Sequence, residues 1–207
     1  MDYIDNEGEQ IENPHESENT TYIEKHKNIL SYFHDIVLGV AGVLLVVMLL
    51  FRVVIVSGDS MRKTLNDADT LLLLNSSVYR QPKYGDIVVV AKKDYENSII
   101  KRVIATEGQT VDIDFVNGVV YVDGVALDEP YINTPTNLFE GVSFPLTVDE
   151  GCIFVLGDNR NDSKDSRDPE IGLIDCREVV GKAIFLLIPG TDEDTGERDF
   201  SRIGALW

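Results

Sequence analysis

Ser60 and Lys101 are the two side chains of this 207-residue chain whose types and settings suit bond-making chemistry. Ser60 stands in Ser57-Gly58-Asp59-Ser60-Met61, where Gly58 can form a tight turn that presents the hydroxyl as a nucleophile. The same residues also suit an ordinary turn or a helix N-cap. The choice of base narrows the chemistry. The histidines are His15, His26 and His34, so none follows residue 34. If the apolar segment just beyond them crosses a bilayer, no histidine reaches the far side, and a Ser-His-Asp triad or a His-based metal site is excluded there. Lysine is the main remaining base. Lys101 lies in Ser98-Ile99-Ile100-Lys101-Arg102-Val103, where alternation puts it on one strand face with Ile99 and Val103. A desolvated lysine loses its proton more easily, here toward ~7–8.5 from ~10.4. The alternative is a lysine snorkelling from a strand edge.

Composition sets further limits. A net charge of −18 leaves no basic stripe to neutralise phosphates, so a nucleic-acid partner is not expected. Two cysteines, Cys152 and Cys176, are too few for a disulfide scaffold or a zinc site, and free, half-buried thiols are expected rather than a bridge. Neither a metal nor a cofactor is called for.

The elements that must position Ser60 and Lys101 follow in chain order. Residues 1–31 are polar and acidic, without regular apolar spacing, and read as a disordered tail. Residues 32–52 read as an uncleaved transmembrane anchor. The unbroken apolar run from residue 36 to 51 is flanked by aromatics and by Arg52, and about 20 residues of helix match a ~30 Å hydrocarbon core. Residues 53–207 read as a β-rich domain, with strands over 70–74, 86–91, 98–105, 111–115, 119–122, 125–127, 152–156 and 179–188. Asn117-Gly118 and Asp123-Gly124 are hairpin signals, and about 128–150 reads as a small cap or loop. The fold expected is mainly β, an antiparallel sheet or partly closed barrel behind one N-terminal transmembrane helix. Trp207 closes an apolar Ile203-Gly204-Ala205-Leu206 segment that suits the headgroup layer or, equally, a frayed terminus.

Four stretches together resemble the type I signal peptidases. Gly58-Asp59-Ser60-Met61-Arg62-Lys63-Thr64-Leu65 is similar to that family's G-x-S-M-x-P-T-L box. Gly85-Asp86-Ile87-Val88 and Lys101-Arg102-Val103 match its next two boxes, and residues 157–167, G-D-N-R-N-D-S-K-D-S-R, match the last. The resemblance implies that Ser60 is the nucleophile and Lys101 its general base. It also implies that Ser163 orients the Lys101 amine and that Asp165 and Arg167 are structural. The Ser60 N–H would serve the oxyanion, and the substrate would add to strand edges around Ile55, Val56, Met61 and Ile99. Implied partners are signal peptides of exported preproteins, with small residues one and three before the cut, and the lipid bilayer. The expected setting is a single-pass plasma-membrane protein, N-terminus cytoplasmic and catalytic domain extracytoplasmic.

Two departures stand out. Lys63 replaces the box proline, and Gly58, a glycine as in the single-span Gram-positive members, offers no hydroxyl where some other members carry an oxyanion-donating serine. A self-cleaving repressor-like Ser–Lys peptidase would need a DNA-binding helix pair in place of this tail and anchor. A catalytically inactive, membrane-anchored β-domain that binds peptides or partners is the other alternative.

Overall fold

The computed structural model describes residues 14–92, 98–192 and 195–206. A helix, α1 (Pro14–Leu50), leads the chain. Its segment Ser31–Leu50 has a mean hydropathy of 2.4 and none of it is buried against protein, which fits a lipid surround by length and composition. The helix starts well ahead of residue 32, so residues 14–31, expected to be disordered, are helical. Glu, Lys, Ile and Leu in this stretch are adequate helix formers, and extending an existing span needs only propagation, not nucleation. Residues 1–13 of the expected tail, and Trp207, lie outside the described residues.

The second unit runs from Leu49 and is built on two antiparallel sheets. Its strands are β1 (Phe51–Ile55), β2 (Thr70–Asn75), β3 (Ile87–Val90), β4 (Ile99–Thr106), β5 (Thr110–Asp114), β6 (Val119–Val122), β7 (Val125–Ala126), β8 (Leu146–Thr147), β9 (Cys152–Leu156), β10 (Ile174–Asp175), β11 (Val179–Ile188) and β12 (Gly204–Ala205). The large sheet is curled and runs β1-β2-β11-β3-β4-β9-β10, with β12 added on β11; the small one runs β7-β6-β5-β8. Phe51 and Arg52, expected at the end of the anchor, are instead the first residues of β1. Phe51-Arg52-Val53-Val54-Ile55 is β-branched and aromatic, and it pairs with Leu74 through Thr70.

The core follows the side-chain alternation. Ile87-Val88-Val89-Val90 is buried on both faces, as a continuous apolar strand must be. Ile87 and Val89 join Val56, Met61, Leu65 and Leu71, while Val88 and Val90 join Val103, Val155 and Ile174. A third cluster, around Phe154 and Val120, fills the space between the two sheets. Asp123 (φ 52°) and Gly124 (φ 77°) turn β6 into β7 in the left-handed region that a two-residue hairpin requires. Cys152 and Cys176 are free and half-buried. They pack against different clusters, Cys152 with the Phe154 group and Cys176 with the Ile174 group.

Candidate active site

Ser60 sits on the turn that leaves β1. Gly58 takes φ +89°, open to glycine, and its N–H donates to Asp67 Oδ1 at 2.8 Å. Met61 and Leu65, next on the same turn, are sealed in the core and fix the loop from below. Lys101 projects from the middle of β4, only 3% exposed, and its Nζ lies 2.6 Å from Ser60 Oγ. Burial pulls the Lys101 ammonium down to about 8. The carboxylates of Asp165, Asp158 and Glu140 hold it up against that pull, and Arg167 adds to the drop. The amine makes no hydrogen bond to a carboxylate among the described residues; its partner is the hydroxyl. A serine touching a lysine so easily neutralised can be deprotonated near neutral pH.

The segment after β9 clasps this pair. An added Cβ on Gly157 would lie 2.1 Å from Ser163 Oγ and 2.5 Å from Ser60 O, so only glycine lets the two loops approach this closely. Asn159 N donates to Ser60 O at 3.0 Å, and Asn159 Nδ2 donates to Asp59 O at 3.2 Å. The Ser60 N–H, by contrast, has no acceptor among the described residues. Asp158 takes both Arg102 Nε (2.8 Å) and Nη2 (2.7 Å), and Thr64 Oγ1 donates to the same carboxylate. The guanidinium of Arg102 also lies 4.0 Å over the Tyr131 ring. Beneath the loop, Arg167 grips Asp165 through Nε at 2.8 Å and Nη2 at 2.9 Å. The buried guanidinium groups of Arg102 and Arg167 are thereby each paired with a buried carboxylate, which offsets the cost of taking these charges out of water.

With that geometry in view, the chain's relatives decide its family. The family of signal peptidases, peptidase S26, matches residues 29–188. The chain belongs to that family. It is 33% identical over 173 residues to the signal peptidase I of Bacillus licheniformis, a match covering 80% of this chain and 91% of that protein. It is 37% identical over 146 residues to the probable signal peptidase I-1 of Synechocystis, covering 66% and 70%. A solved signal peptidase I from Enterococcus faecalis V583 aligns at TM-score 0.42 and 31% identity, covering 49% of this chain and 96% of that one.

Of the residues implied by resemblance to the family, Ser60, Lys101, Asp165 and Arg167 come together as described. Ser163 does not take the expected partner. Its hydroxyl donates to Asp165 Oδ2 at 2.9 Å and makes no hydrogen bond with Lys101. The reason is local: the carboxylate two residues along the same tight loop, which also binds Arg167, accepts the hydroxyl proton. Ile55, Val56, Met61 and Ile99 all line one cleft of about 1020 Å³ that also contains Ser60 and Lys101. Ile55 is 68% exposed there, whereas Val56 and Met61 form its floor. Where the family box has proline, Lys63 follows a cis peptide and its Nζ reaches Pro130 O at 3.1 Å.

Sequence reasoning missed two anchors of this site. The first is Arg202, beyond the matched segment. It binds the fully buried Asp69 through Nη1 (3.0 Å) and Nη2 (2.7 Å), and donates to Thr64 O at 3.2 Å, tying the C-terminal segment to the turn that carries Ser60. The second is Glu140, whose Oε2 is 3.4 Å from Arg167 Nε and whose carboxyl burial pushes up to about 7. Neither carries a local signal, because each acts on a partner far along the chain.

Proposed function

We propose that this protein is a membrane-anchored serine endopeptidase that removes signal peptides from exported proteins with a Ser60–Lys101 dyad. The observation that carries the reading is the 2.6 Å contact between Ser60 Oγ and a nearly inaccessible Lys101 amine. Neutral Lys101 takes the Ser60 proton as Oγ attacks the scissile carbonyl. The tetrahedral oxyanion is met by the Ser60 N–H. Lys101 then protonates the departing amine, leaving an acyl-enzyme at Ser60, and with the same amine activates the water that resolves it. Asp165, gripped by Arg167, holds Ser163 and the loop that carries Gly157 against the nucleophile turn.

The substrate pose follows from free strand edges. Among the described residues, β1 pairs with β2 alone, and in β4 residues 99–101 pair only with β3, because β9 takes over at Arg102. An extended peptide entering the cleft between these edges can satisfy both, with its side chains meeting Val56, Met61 and Ile99. That floor is closely packed, which suits the small residues implied at positions one and three before the cut. The Ser31–Leu50 helix ends directly before β1, so Ser60 follows the span within about ten residues, at most ~30 Å of extended chain. A signal peptide presents its cut site just past its own apolar core, at a similar height. The N-terminus is then cytoplasmic, the second unit is extracytoplasmic, and the bilayer is a standing partner.

The competing reading is an inactive anchored β-domain that binds peptides. Cleavage of a synthetic preprotein by the full-length protein in liposomes, with the cut position read by mass spectrometry, separates the two. Cleavage after a small residue, lost in Ser60→Ala, is the expected result; binding without cleavage would favour the alternative.

A further inference from the structure

The chain carries a net charge of −18, yet one groove beside the end of the membrane helix has three cations and one carboxylate among its lining residues. It measures about 460 Å³, and its lining includes Val78, Arg80, Lys83, Asp86 and Lys182. Three cations there face one carboxylate. Asp86 is already committed: it accepts from Tyr79 Oη at 2.6 Å, from Lys83 N at 3.0 Å and from Lys182 Nζ at 2.6 Å. The Arg80 guanidinium uses only Nε, on Ser77 O at 3.4 Å, and the Lys83 amine has no acceptor among the described residues. Both side chains are exposed. The groove therefore holds two cations with unspent donors beside a neutralised pair, and its preferred ligand is an anion.

Its place in the fold says which anion. Leu74, also in the lining, pairs with Phe51, the first residue after the helix, and on its other side with Lys182. The turn that leads into the groove is bound to the helix end, since Asn75 Nδ2 and Ser77 Oγ donate to Leu49 O at 3.2 Å and 3.5 Å. Lys182 is thus two strands, ~10 Å, from the residue that follows the apolar span, within reach of the headgroup layer. Val78, half exposed at the rim, supplies apolar surface beside the cations.

We propose that this groove binds the phosphate of an anionic phospholipid headgroup through Arg80 and Lys83, with Val78 against the glycerol and upper acyl chain. A guanidinium fork and an ammonium beside it are the donors that phosphate recognition uses. The acidic bulk of the domain is repelled by an anionic surface, and the screening length of ~8 Å lets this local cluster act independently of it. The inference rests on the reading of residues 31–50 as a bilayer span.

The test uses the full-length protein in detergent micelles with equimolar phosphatidylglycerol and phosphatidylcholine, lipid retention being read by native mass spectrometry. Wild type should retain phosphatidylglycerol preferentially. The double variant Arg80→Gln/Lys83→Gln should lose about 25-fold of that preference, the amount expected for two basic side chains at a membrane surface. A control, Lys164→Gln/Arg177→Gln, removes equal charge elsewhere and should retain it. No preference in wild type, or equal loss in the control, overturns the proposal. Full displacement of the lipid by millimolar inorganic phosphate would assign the groove to free phosphate and equally overturn it. Cleavage of a short, water-soluble signal peptide by the double variant should match wild type, which keeps this result separate from the peptidase reading.

Discussion

Lys101 and Lys182 flank the same residue. Val88 of β3 pairs with Lys101 of β4 on one side and with Lys182 of β11 on the other. The two lysines nevertheless meet different surroundings. Lys182 is partly exposed and sits 2.6 Å from the carboxylate of Asp86. Lys101 is sealed, meets a hydroxyl instead of a carboxylate, and is drawn down to about 8. Desolvation without an ion-pair partner makes a base; partial exposure with one makes a structural tie. Nothing in strand position alone separates them.

The sharpest way to break this comparison is to remove both amines in turn. Lys101→Met, like Ser60→Ala, should lower kcat at least about a thousandfold, leaving the residual rate that binding and the oxyanion donor supply. Lys182→Met should stay within about twofold, since it touches no reacting atom. A Lys101→Met enzyme with substantial turnover would remove the lysine from the mechanism.

Removing C-terminal support should come next in effect. Arg202→Met leaves the carboxylate of Asp69 buried and short of its cation; the side chains are 22% and 0% exposed. Stranding a buried charge costs about 3 kcal/mol, and urea denaturation should show most of it. Because Arg202 also donates to Thr64 O, kcat should fall several-fold as the nucleophile turn loosens, and Arg202→Lys should restore part of both. Unchanged stability in Arg202→Met would mean that the C-terminal segment does not hold this turn.

The two lysines also predict opposite stability effects. An unfolded chain keeps the Lys101 proton up to 10.5, whereas the folded protein releases it at about 8. The unfolded state therefore binds more protons between these values. The buried amine costs stability below about 8, and the cost fades as pH rises toward 10.5. At pH 7 it is worth up to about 3 kcal/mol, so Lys101→Met should be more stable than wild type there and lose that advantage near pH 10. The corresponding change at Lys182 removes an ion pair and should not stabilise. Thermal melts of both variants at the two pH values decide it.

How far the sequence led can be judged residue by residue. Ser60 and Lys101 were legible because a histidine-free domain leaves few bases, and because their boxes are local strings. The strands at Val119–Val122, Cys152–Leu156 and Val179–Ile188 were legible for the same reason, since alternation and turn residues are local. β1 was not, because Phe51-Arg52-Val53-Val54-Ile55 continues the apolar run of the helix and no break in pattern marks the change from helix to strand. The partner of Ser163 was not legible either, since a hydroxyl chooses among acceptors by angstroms. Arg202 and Glu140 depend on contacts closed only by the whole fold.

Glu140 offers the smallest and most specific test of the contrast between the lysines. Where Asp86 touches Lys182, Glu140 acts on Lys101 from behind Arg167, with its Oε2 3.4 Å from Arg167 Nε. Burial pushes its carboxyl up to about 7. Asp165 and Asp168 push the same way, and Arg167 and Lys101 oppose them. At the pH where Lys101 titrates, about 8, Glu140 is mostly ionised, and its charge favours the Lys101 ammonium. Glu140→Gln removes that charge and leaves Arg167 with Asp165 as its remaining carboxylate. Both changes make the ammonium less favourable, so both lower the pH at which Lys101 becomes a base. The midpoint of the kcat/KM–pH profile should move to lower pH by about 0.3 unit, the size of a screened interaction over several ångströms. The same profile in Lys182→Met should not move. A merely structural role for Glu140 would lower the plateau and leave the midpoint where it was, and a shift to higher pH would mean that Glu140 does not hold the Lys101 proton in place.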